Sequence, residues 1–362
     1  MSKKIKIKAK QYEPIPRPVK INWTQYMADH AGCGVIRVVY PSLLLNQLHD
    51  REIKTESMYT NRFSPHKEAY NGTSFVVFQR SATEQQLKMI QHMKSILPQL
   101  PIIYEIDDSL MDISEYNFAS KFYKPLTSTI ETILKTVDGV ITSTSHLRSK
   151  YIKYNKNIRV IENHLPKFVW GDVEDNTKET DSPRIVYAGS FNHFNQHGEG
   201  GDMDKEFVSY ILGTVYKYQW VFVGGMPHEL KGDSRIEYHP WKTVYELPKF
   251  LKSLNCDIVI APLEDNTFNA SKSNIKALEA VALGLPLVCS NVEPYKNLTS
   301  PQDTTEGLIN QIDMLCDDTD LRAKNWYSNY TTLKDQLFWE DNNNANVYHY
   351  MDQYLKLVGK RL

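Results

Sequence analysis

Apolar residues in this chain fall into two kinds of segment. Short, nearly continuous apolar runs read as strands covered on both faces, as in parallel sheets. Longer stretches with apolar residues at helical spacing read as helices packed against them. In the first half the strand candidates are Phe75–Gln79 (FVVFQ), Ile102–Ile106 (IIYEI), Gly139–Thr142 (GVIT) and residues 159–162 (RVIE). Between them the spacing predicts helices over 82–96, 118–137 and 145–154. Tyr40–Leu48 reads as the first helix, with Pro41 tolerated in its first turn.

The pattern breaks at residues 167–183 (KFVWGDVEDNTKETDSP), which are polar, acidic and bounded by proline, and read as a linker. A second series follows. Its strands are predicted at 184–188, 220–223, 235–239, 257–263 and 285–290, and its helices at 204–217, 243–254, 273–283 and 308–315. Alternating strands and helices imply an α/β fold, and two series joined by a linker imply two Rossmann-like domains facing a cleft. The expected boundaries are 1–166 for the first domain, 167–183 for the linker and 184–320 for the second. The helical tail, 321–362, is expected to return to the first domain. Ligands of such sheets sit beyond the carboxyl ends of the strands.

Composition narrows this picture modestly. The chain has 362 residues, 41% hydrophobic and 23% charged, with a formal net charge of -1. It is therefore not a polybasic nucleic-acid binder as a whole, although a local basic face stays open. Cys33, Cys256, Cys289 and Cys316 show no CxxC spacing, which argues against a zinc site or a disulfide framework. The start, MSKKIKIKAK, lacks the apolar core of a signal peptide, and no apolar run is long enough to span a bilayer. A cytoplasmic protein without a membrane partner is expected.

The most informative stretch is 261–295, APLEDNTFNASKSNIKALEAVALGLPLVCSNVEPY. A buried strand ends at Pro262, and a polar loop brings Ser271, Lys272 and Ser273 to a helix start. Free backbone N–H groups and partial positive charge there suit a diphosphate, and Lys272 adds a full charge. Glu279 is placed to accept hydrogen bonds from ribose or sugar hydroxyls. The plainer alternative is helix capping by Ser271 or Ser273, with Glu279 on the surface. Residues 187–193 (YAGSFNH) form a second candidate, in which Gly189 and Ser190 let a ligand approach the backbone and His193 follows in the loop. Gly198, Gly200 and Gly201 read as a mobile loop; no Gly-Lys-Ser/Thr follows, so it is not a P-loop. Gly224 and Gly225 mark another strand exit lining the cleft.

In the first half, residues 30–37 (HAGCGVIR) form a glycine loop entering a helix. Gly32 and Gly34 allow close approach of a ligand, and Arg37 offers a charge for phosphate. Asp107 and Asp108 end a strand, and three readings stay open: metal ligands, a general base toward an acceptor hydroxyl, or caps of the next helix. Between Arg148 and Arg159, basic residues including Lys150 and Lys153 interleave with Tyr151 and Tyr154. This tract, like the lysine-rich start, either tracks phosphates or is a solvated face.

The 261–295 segment resembles the donor-binding motif of group-1 glycosyltransferases of the GT-B fold. Phe268, Asn269, Lys272, Ser273, Lys276, Leu278, Glu279, Ala282, Gly284 and Pro286 match it. The resemblance implies Lys272 and Ser273 on the phosphates of a nucleoside diphosphate sugar, most simply a UDP-sugar, and Glu279 on the ribose. It also implies that Ser190 and His193 face the donor phosphates and that the 30–37 loop is the N-terminal glycine loop of these enzymes. Ser271 departs from the pattern, because many members carry a second glutamate there, so their retaining mechanism does not transfer. The likeness spans roughly residues 20–300 and is greatest to glycosyltransferases of tailed bacteriophages.

The implied function is metal-independent hexosyl or pentosyl transfer, with the nucleotide sugar as co-substrate and no cofactor. Asp107, Asp108 and His193 are the catalytic candidates. The acceptor implied first is 5-hydroxymethylcytosine in phage DNA, with Lys150 and Lys153 on the acceptor side; for a phage protein the location is the host cytoplasm. A surface glycan or lipid-linked precursor is the alternative acceptor. A nucleotide-sugar epimerase and a non-enzymatic nucleotide- or DNA-binding protein are the alternative functions.

Overall fold

The structure is a computed structural model and describes residues 21–48, 53–195, 198 and 200–359. The lysine-rich start lies outside the described residues. The first sheet is parallel throughout and has six strands: β1 (Ile21–Met27), β2 (Ile53–Tyr59), β3 (Phe75–Gln79), β4 (Ile102–Ile106), β5 (Gly139–Thr142) and β6 (Ile158–Val160), in the order 2-1-3-4-5-6. The second has five parallel strands: β7 (Arg184–Gly189), β8 (Gln219–Gly224), β9 (Glu237–His239), β10 (Ile258–Ala261) and β11 (Leu287–Cys289), in the order 11-10-7-8-9. This is the two-Rossmann architecture that the alternating pattern implied. The strand order reverses between β1 and β3 in one sheet and between β7 and β10 in the other. Those are the two places where such sheets open a crevice at their carboxyl ends.

β1 and β2 were not foreseen. Polar side chains interrupt the apolar run of β1, yet Thr24 and Gln25 are buried in the sheet. Gln25 is tolerated because it is bonded: its Nε2 donates to Ser42 Oγ at 2.6 Å, and its Oε1 accepts from the Tyr350 hydroxyl at 3.1 Å. β2 is an edge strand with an alternating pattern and exposed Lys54 and Glu56.

The first helix also differs. Helical structure begins at Gly32 and passes through a π turn, Val35–Val39, before Tyr40–Leu48. Pro41 therefore sits inside a continuous helical run. Proline has no N–H to give to the carbonyl four residues back. The wider turn before it, where the Tyr40 N–H bonds to the Val35 carbonyl, admits the ring.

Two chain crossings join the domains side by side. The Leu165 N–H donates to the Leu337 carbonyl at 2.8 Å, and the Trp339 N–H donates to the Leu165 carbonyl at 3.0 Å. Thr319–Leu337 is a helix on the second domain, where Trp326 Nε1 donates to the Val281 carbonyl and Asn325 accepts from the Leu287 N–H. The return to the first domain comes after Phe338. The closing segment, Asp341–Leu357, lays Tyr354 onto Trp23 and Phe75 of the first sheet, with Tyr350 packed against Tyr354. The linker is held to the second domain by Asn176, whose N–H donates to the Gly284 carbonyl and whose side chain donates to the Leu283 carbonyl.

Gly284 has φ +74, and a Cβ there would lie 1.9 Å from the Glu174 carbonyl oxygen. Gly284→Ala is expected to lower stability by more than about 1 kcal/mol, because the turn before β11 can neither keep its φ nor keep the linker in place. Chemical denaturation checks this; an unchanged midpoint contradicts the packing described.

Candidate functional site

A cavity opens between the carboxyl ends of the two sheets. One wall belongs to the first domain and carries Gly32, Cys33, Asp107 and Asp108; the other belongs to the second and carries Ser190, His193, Lys272, Ser273 and Glu279. Most residues singled out from sequence thus meet here, although they come from four separate stretches of chain.

On the second-domain wall, β7 ends at Gly189, and Ser190 caps a tight turn, Phe191–His193, by accepting from the Asn192 N–H. Phe194 bridges to Gly201, and the Asp202 N–H donates to the His193 carbonyl. The described part of the glycine run is therefore a hairpin that returns the chain to its start. Gly201 is required at its close, since a Cβ would meet the His193 carbonyl at 2.4 Å. The hairpin brings Asp202 against His193, whose Nδ1 lies 2.5 Å from Asp202 Oδ2.

After β10, a short turn (Thr267–Ala270) precedes Lys272, and the helix itself runs Ile275–Ala282 with Asn274 as its N-cap residue. The helix start is thus a little later than the sequence suggested. Ser271 is buried, donating to the Thr267 carbonyl, and the Lys272 N–H is spent on the Asn269 carbonyl. What Lys272 offers is its side chain. Its ammonium lies 4.5 Å from the Phe268 ring centroid, and no described carboxylate pairs with it. Lys276, by contrast, is held by Glu279 at 2.7 Å. Trp241, which sequence reasoning missed, also lines the cavity, as do Val244 and Leu247, and Lys276 Nζ lies 5.8 Å from the Trp241 ring centroid.

The first-domain wall depends on two arginines, Arg37 buried and Arg80 partly so. Arg37 touches the cavity, but its hydrogen bonds run into the interior. It is 3% exposed, with Nε 2.8 Å from Glu105 Oε1 and Nη1 donating to the Ile161 carbonyl and to Asn163 Oδ1. Burial raises the Glu105 carboxyl above its ordinary range, against the pull of Arg37. Asn163 in turn donates to Ser273 Oγ at 2.6 Å, so one polar chain runs from β4 to the opposite wall.

The second arginine, Arg80, follows β3 and has φ +46, a left-handed backbone that costs a non-glycine residue about 1–3 kcal/mol. Its guanidinium lies 3.3 Å from both Asp107 Oδ1 and Asp108 Oδ2, and 2.6 Å from Cys33 Sγ. Cys33, Asp107 and Asp108 have ligand atoms within 4.8 Å of one another, as a metal site requires. The guanidinium already sits among them, and burial pushes the Cys33 thiol well above its usual value, against Arg80.

Other expected residues fall elsewhere. The Gly34 N–H donates to Asp29 Oδ1, and a Cβ there would meet the Asp29 carbonyl at 1.8 Å, so Gly34 serves helix entry. Gly189 and Gly224 pack on each other behind the cavity: a Cβ on Gly224 would lie 2.4 Å from the Gly189 carbonyl. Lys150 is ion-paired with Asp112, and Lys153 lies over the Tyr154 ring at 4.8 Å; neither lines the cavity. Lys150 is therefore not a free charge in the tract around it.

No protein-family model matches the chain, and no curated protein sequence does. Solved structures share its fold. A UDP-forming α,α-trehalose-phosphate synthase from Burkholderia xenovorans aligns with TM-score 0.57 and 8% identity, over 94% of this chain and 99% of that one. The N-terminal domain of trehalose-6-phosphate phosphatase from Candida albicans aligns with TM-score 0.54 and 10% identity, over 98% and 99%. At these identities the likeness is one of fold, and the fold is GT-B: two Rossmann-like domains about a cleft. Among the described residues no helix is long and apolar enough to cross a membrane.

Arg37→Met is expected to destabilise the protein by about 3–5 kcal/mol, because it strands Glu105 in the interior. Adding Glu105→Gln to it should recover part of that loss. Denaturant titration of both variants against the wild type reads both effects; a stable single variant with impaired ligand binding would restore Arg37 as a phosphate contact.

Proposed function

We propose that the chain transfers a sugar from a nucleoside diphosphate sugar to a hydroxyl acceptor. The observation that carries this reading is the convergence of Ser190, His193, Lys272, Ser273 and Glu279 on one wall of a cavity whose other wall presents Asp107 and Asp108. Lys272, which no carboxylate among the described residues pairs with, stands beside polar groups from two loops, which suits a diphosphate. Glu279, seven residues further along, suits the ribose hydroxyls, with Lys276 holding it in place. Trp241 and its apolar neighbours offer a face for a base ring. A UDP-forming synthase with the same fold supports a nucleotide-sugar donor.

On the acceptor side, Asp107 or Asp108 takes the proton of the attacking hydroxyl, its orientation set by Arg80. Because Arg80 supplies positive charge among these acids, the reaction proceeds without a metal ion. The acceptor to test first is hydroxymethylcytosine in DNA, on the strength of the resemblance alone, since Lys150 is tied to Asp112. A surface glycan or its lipid-linked precursor is the second.

The deciding experiment is a panel of nucleotide sugars offered with modified DNA, unmodified DNA and glycan acceptors, read by nucleotide release and product mass. Nucleotide release that depends on an acceptor marks a transferase, whereas sugar interconversion without an acceptor marks an epimerase. Lys272→Ala should weaken donor binding by about 1.5–3 kcal/mol with the fold intact. Unchanged donor affinity by calorimetry removes the donor assignment. Activity should also survive exhaustive EDTA treatment; loss with rescue by Mn²⁺ would make Cys33, Asp107 and Asp108 metal ligands.

A further inference from the structure

Asp202 has no task in the reading above, yet it is tightly held. It is 6% exposed, and its Oδ1 accepts from the Tyr116 hydroxyl at 3.0 Å, the Glu264 N–H at 3.0 Å and Asn269 Nδ2 at 2.6 Å. Its Oδ2 faces His193 Nδ1 at 2.5 Å. Burial opposes a charge on Asp202, but His193 and these donors hold its carboxyl below the usual range. A carboxylate so placed puts the imidazole proton on Nδ1 and leaves the Nε2 lone pair toward the cavity.

The other groups facing His193 are Lys272 and Lys276 from the β10 side and the Tyr187 ring of β7, 6.3 Å away. Burial and then Lys272 keep the imidazole below its ordinary pKa, against Asp202. As it stands, His193 is thus a neutral acceptor in a place where the donor's phosphate oxygens, also acceptors, must lie. Two lone pairs facing each other repel, and a proton between them turns that repulsion into a charge-assisted hydrogen bond.

We propose that His193 takes up a proton from solvent when a nucleoside diphosphate binds, so that imidazolium and Lys272 together hold the leaving group, with Asp202 as the residue that positions the ring. The inference rests on the donor reading given above. During transfer the bond from the sugar's anomeric carbon to the diphosphate oxygen breaks and the bond to the acceptor oxygen forms. The acceptor proton goes to the opposite wall, and negative charge grows on the diphosphate facing His193. An imidazolium there stabilises the transition state more than the ground state. The proton returns to solvent when the diphosphate leaves.

The pH dependence follows from the direction of the change. Binding raises the His193 pKa, so affinity is flat below the free-protein pKa. It then falls by at most about tenfold per pH unit until the bound-state pKa is passed. The test is calorimetry with whichever of UDP, ADP, GDP, CDP and dTDP binds, in buffers of different ionisation enthalpy. It is run at about pH 7.5–8, above the nucleotide's own terminal phosphate pKa of about 6. The wild type should take up close to one proton, and His193→Gln none, with an affinity that no longer varies with pH. Asp202→Asn should reduce the uptake and move the affinity midpoint to lower pH; should it not fold, His193→Gln decides alone. Binding that is lost in Lys272→Ala but takes up no proton in the wild type overturns this inference and leaves the donor site standing. Uptake that persists in His193→Gln overturns it too. Failure of every nucleotide to bind removes the donor reading and this one with it.

Discussion

The cleft depends on the buried guanidinium of Arg37. A charge this deep is stable only with partners on all sides, and each of its partners belongs to a different part of the fold. Glu105 is on β4, the Ile161 carbonyl lies just past β6, and Asn163 stands at the crossing into the second domain. The arginine therefore fixes the helical entry after β1, the centre of the first sheet and the start of the hinge relative to one another. Asn163 carries the constraint across, through its hydrogen bond to Ser273. Residues near the crossing reinforce it: Gln336 bonds to the Asn163 carbonyl and to Asn274, and His164 bonds to the Gln336 carbonyl. Burial pushes the His164 imidazole down to about 4, so this junction adds no second buried charge.

Given that frame, the two walls divide the electrostatics. The second-domain wall is cationic at Lys272 and polar around it. The first-domain wall has two acids set against one guanidinium. Under the proposed function, the cationic wall would face the diphosphate of the donor and the acidic wall the hydroxyl of the acceptor. Neither wall is assembled from adjacent sequence. On each, a strained or tightly turned backbone delivers a group whose value shows only in three dimensions: left-handed Arg80 after β3, and Asp202 after the Gly200-Gly201 hairpin.

That is also why the sequence was legible in parts. The apolar runs of β3, β5, β7, β8 and β10 stand out because both faces of each strand are covered, and β4 reads the same way apart from Glu105. β1 hides because two polar residues, Thr24 and Gln25, are buried in it, and the partners that satisfy Gln25, Ser42 and Tyr350, lie elsewhere in the chain. The segment around Lys272 and Glu279 could be found because its residues are contiguous. Arg37 was visible as a charge in a glycine loop, but its direction was not, since Glu105 and Asn163 are distant in sequence. The same holds for Lys150, whose partner Asp112 lies in another loop. Asp202 had a local signal, an acid closing a glycine run nine residues after His193. Its meaning required knowing that the run folds back on itself.

The arrangement of hydrogen bonds shows how the walls are kept in register. Leu165 and Phe338 run side by side where the chain crosses between domains, and the backbone bonds there leave both crossings little independent freedom. Asn163 sits two residues before Leu165, and Gln336 two before Phe338, so the side chains bonded to Ser273 and Asn274, at the start of the Ile275–Ala282 helix, are carried by the hinge itself. Any rotation of one domain on the other must move Asn163 relative to Ser273 and to Gln336. The spacing between Lys272 and the acids at Asp107 and Asp108 is thereby set by the same few bonds that satisfy Arg37. A burial requirement in the first domain thus fixes where the cation of the second domain stands.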